Sequence, residues 1–188
     1  MKKILFILYT CCILLFPVSA QQIPSFKAND RIVFLGNSIT EGGHYHSYIW
    51  LYYMTHFPEL PLRIYNGGIG GDCASHMVFK KPTYLVCSFG MNDSGYDGYN
   101  KPGYDKYANK QVEYANTEFG KLQQQILADK KIKNVVLLGS SPYDENVKLE
   151  GVETLHGKNE TIKRIIEMQA EVAQKRGWGF VNFNTVMC

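Results

Sequence analysis

Three short stretches carry residue types able to perform acyl transfer: "GNSIT" (36–40), "NGGIGGD" (66–72) and "GMND" (90–93). Ser38 offers a hydroxyl that can attack a carbonyl carbon. The oxygen that turns negative in such an attack needs donors already aimed at it. A serine at a strand-to-helix turn can supply its own N–H. A glycine in a tight loop supplies an unobstructed N–H, and an asparagine side chain supplies donors with no charge to neutralise. Read singly, each stretch has a plainer explanation. Ser38 suits a helix N-cap, the glycines suit turns with positive φ, and Asn92 suits the start of an Asx turn. Their succession carries more weight, because each follows a short apolar run.

A hydroxyl nucleophile also needs a base within hydrogen-bond reach, held by a partner of its own. The chain has five histidines, His44, His46, His56, His76 and His156. His44 and His46 follow Ser38 closely and His76 follows the glycine-rich loop. His156 precedes the last helical pattern, which reads as the wrong end of the architecture. Each is read first as an ordinary loop, core or substrate-contact residue, with His44 and His76 the leading candidates for a replacement base.

The apolar runs that must position these loops are "RIVFLG" (31–36), "LRIYN" (62–66), "TYLVCSFG" (83–90), "NVVLLGSS" (134–141) and "GFVNF" (179–183). Near-continuous apolar runs suit strands covered on both faces. Helical spacing separates them. Tyr48, Ile49, Tyr52, Tyr53 and Phe57 form one stripe that stops at Pro58. Ala115, Phe119, Leu122 and Ile126 form a second. Ile162, Ile165, Ile166, Gln169, Val172 and Ala173 form a third, with Asn159 as expected N-cap and Gly177 as expected stop. Alternating strands and helices predict an α/β fold: a three-layer α/β/α sandwich on a five-stranded parallel sheet. Ligands of such sheets bind beyond the C-terminal ends of the strands, where all three polar stretches fall.

In this order, "GNSIT", "GIGGD" and "GMND" resemble the SGNH hydrolases, also called GDSL-type esterases and lipases, over roughly residues 31–183. The resemblance implies a flavodoxin-like sandwich and a serine carboxylester hydrolase that deacylates saccharide or other small esters. It implies Ser38 as nucleophile and first oxyanion donor, the Gly71 N–H as second donor and the Asn92 side chain as third. Asn37 stands where many members carry Asp and keeps a short polar turn former. Asp93 is expected to shape the loop around Asn92. The family's base is a histidine in an Asp-x-x-His motif near the C-terminus, and no such motif occurs after residue 150. The expectation is a domain over 21–188 that is C-terminally incomplete, with its last helix missing, apolar side chains exposed and activity impaired. The alternative is a non-catalytic module that binds an acylated glycan. Only "CASHMVFKKP" (73–82) separates the glycine loop from the next strand, which predicts a stub helix and an extended return.

"MKKILFILYTCCILLFPVSA" has a basic start, an apolar run and a small-residue ending, the pattern of a cleavable secretory leader over 1–20. The product is then secreted or periplasmic, without stable membrane insertion. Lys2 and Lys3 account for two of the formal charges of +3, and no basic run remains to suggest nucleic acid. Cys73, Cys87 and Cys188 follow the leader, an odd number that argues against a disulfide framework. Cys87, inside a strand pattern, reads as a small buried hydrophobe. No Cys/His spacing suits zinc, so neither a metal nor another cofactor is expected. A flavodoxin-like cofactor domain would need a phosphate cradle, and "GNSIT" is too short for one. Tyr96, Tyr99, Tyr104 and Tyr107 lie in the segment 92–107, which reads as a long surface loop. They either line a saccharide rim or pack that loop onto the domain.

Overall fold

Arg31–Gly36 is an unbroken run of apolar and β-branched residues, and it forms strand β1, buried from Ile32 to Gly36. The computed structural model describes residues 23–74, 81–147, 150–151 and 153–187. The leader, the middle of the 73–82 crossover with His76, and Cys188 lie outside the described residues. The other strands are β2 (Arg63–Gly68), β3 (Tyr84–Phe89), β4 (Asn134–Gly139) and β5 (Gly179–Asn182). All pair in parallel, in the order β2-β1-β3-β4-β5. Each matches one of the expected runs to within two residues at either end.

Side chains alternate between the two sheet faces. Val33, Leu35, Leu85, Cys87, Phe89, Val135 and Leu137 point to one face. There they meet Phe119, Leu122 and Ile126 of helix α3 (Tyr104–Ala128) and Ala173 of α4 (Lys158–Arg176). Ile32, Phe34, Tyr84, Val86, Val136 and Leu138 point to the other, under Tyr45 and Ile49 of α2 (His44–His56), Phe26 and Phe183. Two further helices are single turns, α1 (Ser38–Glu41) and α5 (Phe183–Val186). The result is the three-layer sandwich. Among the described residues, α2 is the one long helix on the second face, and only α5 follows β5. No helix of the described residues is long and apolar enough to cross a membrane. Cys73 and Cys87 are both free, and Cys87 is a core residue.

The α3 stripe is buried as its spacing predicts, but two other helices depart from expectation. In α2 the sheet takes Tyr45, His46, Ile49 and Tyr53, while Tyr48 is 72% exposed and Tyr52 faces solvent beside Trp50, Leu51, Met54 and Phe57. This helix is apolar almost all round, so periodicity could not select its inner face. In α4 the N-cap is Gly157, at φ +86°, and not Asn159. The Asn159 Oδ1 instead accepts from Tyr143 N (3.1 Å) and Asn184 Nδ2 (3.0 Å). The open N–H groups of the helix go to Glu145: its two oxygens accept from Gly157 N (3.0 Å) and Asn159 N (2.9 Å). Gly177 ends α4 at φ +66°, as expected. The loop after β3 stops at Gly103, because Tyr104 already opens α3.

Candidate active site

β1 delivers Gly36 to the C-terminal edge of the sheet, where it pairs with Gly68 on one side and Ser88 on the other. Only glycine fits at 36: a Cβ would strike the Thr40 hydroxyl and lie 2.6 Å from Ser88 O. Asn37 is buried and its Oδ1 accepts from Ile39 N (3.0 Å), which turns the chain into α1 and leaves Ser38 exposed at its first position.

The second loop packs directly on the first. Ile69 N donates to Gly36 O (2.9 Å), and Asn66 Nδ2 donates to Glu41 O (3.0 Å). Gly68 lies so close to the backbone of Glu41 that a Cβ has no room. Gly71 has φ +78° and open space around it: a Cβ built there meets nothing within 4 Å.

The third loop reaches the second through the asparagine itself. Asn92 Nδ2 donates to Asp72 O (2.9 Å), next to Gly71, and Asn92 Oδ1 accepts from the Tyr96 hydroxyl (2.9 Å). These two bonds fix which end of the amide is which and leave the second Nδ2 hydrogen for a ligand. Asp93 is buried, and its oxygens accept from Ala74 N (2.9 Å) and Gly90 N (2.8 Å). It therefore shapes the loop, as expected. Burial pushes its carboxyl above the usual range, against the pull of those N–H groups.

The histidines separate clearly. His46 is a core residue: Nε2 lies 3.1 Å from Thr40 O and the ring packs on Phe34 and Tyr45. His56 is exposed and bonds within its own helix turn. His44 is exposed at the start of α2. His156 is not at the wrong end. A helix in a parallel sheet begins at the edge where the preceding strand ended, so the β4–α4 loop lies on the Ser38 side. There His156 N donates to Asn100 Oδ1 (3.3 Å), and Nδ1 lies 3.9 Å from Glu145 Oε2. Among the described residues, no histidine hydrogen-bonds to the Ser38 hydroxyl.

The four loop tyrosines divide. Tyr99 is buried, donates to Ser94 O (2.5 Å) and packs on Tyr107. Tyr104 opens α3 with its ring against Gly157. Tyr96 is 44% exposed and lines a cleft of about 590 Å³ with Asp97, Asn100, Lys101 and Tyr143. Cys73 carries no thiolate near neutrality, since burial pushes its thiol up to about 11. Sequence reasoning missed Lys158. It is fully buried, and its ammonium donates to Met91 O (3.0 Å), Ser94 Oγ (2.8 Å) and Gly95 O. A lysine at the head of a helical stripe carries no signal of burial in a sequence.

No family model matches the chain, and no curated protein matches it. Solved structures do. A gut microbial diltiazem-metabolizing enzyme matches at 45% identity and TM-score 0.83 over 90% of this chain, which spans 40% of that enzyme's length. Axe2, an acetylxylan esterase from Geobacillus stearothermophilus, matches at 17% identity and TM-score 0.65, over 87% of this chain and 80% of its own. Its structures include catalytic mutants in which a serine, an aspartate or a histidine is replaced by alanine. LAE5, an alpha/beta hydrolase enzyme from the metagenome of Lake Arreo, Spain, matches at 17% identity and TM-score 0.62, over 86% and 80%.

Proposed function

We propose that the chain is an SGNH-type exported carboxylester hydrolase with Ser38 as nucleophile, on the premise of its three-layer fold and its likeness to the hydrolases named above. The observation that carries this reading is the meeting of three loops at one sheet edge: Ile69 N on Gly36 O, and the Asn92 amide on Asp72 O. The Ser38 oxygen bonds to the ester carbonyl carbon, and the displaced electron pair moves onto the carbonyl oxygen. The N–H groups of Ser38 and Gly71 and the second amide hydrogen of Asn92 hold that oxyanion. Its collapse expels the alcohol and leaves an acyl-enzyme for water to hydrolyse.

The Ser38 proton needs an acceptor that the described histidines do not supply at bonding distance, so turnover is expected to be very low. Acyl saccharides are the proposed substrates. The named activity of Axe2 and the exposed Tyr96 beside the Asn100 and Lys101 cleft support that class. The leader pattern supports export. The absence, among the described residues, of a hydrogen bond to the Ser38 hydroxyl favours one second reading, an acylated-glycan-binding module in the same pocket.

Fluorophosphonate labelling separates the two. Labelling that disappears in Ser38→Ala supports the nucleophile. Binding of acetylated xylo-oligosaccharide with no labelling overturns it in favour of the module. Fast p-nitrophenyl acetate turnover, lost in Ser38→Ala, would keep the nucleophile and refute the low turnover.

A further inference from the structure

We propose that Lys158 is a positioning residue for Asn92: its ammonium clamps the Met91–Gly95 turn and supports the Tyr96 ring, whose hydroxyl orients the Asn92 amide. The inference rests on Asn92 as an oxyanion donor. Lys158 is 0% exposed, a costly place for a charge unless every donor is used. An ammonium has three N–H donors, and here they meet three acceptors of one turn, Met91 O, Ser94 Oγ and Gly95 O. The turn encloses Asn92 between those contacts. Two backbone bonds, Ser94 N to Gly90 O (3.0 Å) and Gly95 N to Asn92 O (2.9 Å), close it further. The face of Tyr96 lies over the ammonium, 3.6 Å from nitrogen to ring centroid. From that seat the Tyr96 hydroxyl reaches Asn92 Oδ1. The charge is thus two contacts from the proposed oxyanion donor and touches no reacting atom.

Such a clamp depends on protonation, because a neutral amine offers two donors to three acceptors. The titratable groups around the ammonium are Asp93 on the same turn, Cys73 on the β2–β3 loop, Tyr96 and Tyr99 on the β3–α3 loop and Tyr143 on the β4–α4 loop. Burial lowers the lysine to about 8, against the upward pull of Asp93 and Cys73.

The test uses the whole protein in four forms: wild type, Lys158→Met, Lys158→Arg and Tyr96→Leu. Methionine matches the lysine in length and cannot donate, so it fills the same space while releasing the three acceptors. Tyr96→Leu, at the exposed rim, removes the support without touching the core. Amide hydrogen exchange over 91–95 is read beside fluorophosphonate labelling of Ser38 from pH 6 to 10. In Lys158→Met, exchange over 91–95 rises about tenfold with β1 and β3 unchanged, and labelling slows about tenfold. In Tyr96→Leu, labelling slows while exchange changes less. Wild-type labelling falls relative to Lys158→Arg as pH passes about 8. Unaltered exchange in Lys158→Met overturns the clamp, whether or not Ser38 reacts. Raised exchange with unaltered labelling overturns the positioning role. A wild type that never labels counts against the nucleophile, and exchange over 91–95 then decides for or against the clamp on its own.

Discussion

Replacing Gly68 by alanine tests whether contact between two loops sets the position of Ser38. The added Cβ would stand 2.7 Å from Glu41 Cα and 2.7 Å from the Thr40 carbonyl carbon, where ordinary contact begins at 3.4 Å. Both obstacles are backbone, so no side chain can swing aside. The Glu41 nitrogen stands nearer still, so β2 or α1 must retreat by about 1 Å or more, and a shift of that size costs on the order of 10²-fold in a reaction that depends on alignment. Overpacking of this kind costs about 1–3 kcal/mol. Two kcal/mol lowers the melting temperature by about 6 °C in a chain of this size. Gly177→Ala is the control, at the end of α4 away from the Ser38 edge. Its Cβ meets nothing within 4 Å, and only its φ of +66° resists, at about 1–2 kcal/mol. The assay is the fluorophosphonate labelling rate of Ser38 together with thermal unfolding. Gly68→Ala should slow labelling far more than Gly177→Ala at a similar loss of melting temperature. Native labelling in a folded Gly68→Ala protein would refute the idea that this contact aligns the serine.

Asn92→Ala removes the third oxyanion donor, and Ser38 labelling should fall about 10²–10³-fold with little change in melting temperature; an unchanged rate removes Asn92 from the site. Leu122→Ala empties space between α3 and the sheet, where Leu122 is fully buried, and should cost about 2–5 kcal/mol by urea denaturation. A loss under 1 kcal/mol would mean that the two layers close over the gap. Lys158 sets a pH dependence of stability with a definite sign. Its folded pKa lies near 8, below the ordinary lysine range, so above pH 8 the folded protein sheds a proton that the unfolded chain keeps. Through this group stability rises with pH between about 8 and 10.5. The melting temperature of wild type should therefore gain on that of Lys158→Met over that window, while Ser38 labelling declines; a falling difference contradicts the buried charge.

Strand positions were legible because each apolar run is bounded by Gly, Asn or Pro, and "RIVFLG" is β1 from end to end. The convergence of the loops followed from parallel order alone. Three features were hidden. The inner face of α2 was not encoded by periodicity, since Tyr48 and Tyr52 are as apolar as Tyr45 and Tyr53. The cap of α4 comes from Glu145, a residue outside the helix, and no local pattern announces it. Lys158 was invisible because its partners, Met91, Ser94 and Gly95, lie a whole βα unit earlier. His156 was misplaced by a topological slip, since the start of a crossover helix shares the edge of the preceding strand tip.

The central place of β1 also makes the site a product of long-range pairing. Ser38 acquires its surroundings only where β1 has β2 on one side and β3 on the other, partners drawn from other segments of the chain. The Met91–Gly95 turn in turn needs α4 in place, because Lys158 reaches it from that helix. A helix such as α3 winds from neighbours a turn apart, whereas closing wide chain loops carries an entropic cost that grows with their length. The pocket therefore draws its order from the whole sheet and not from any one segment.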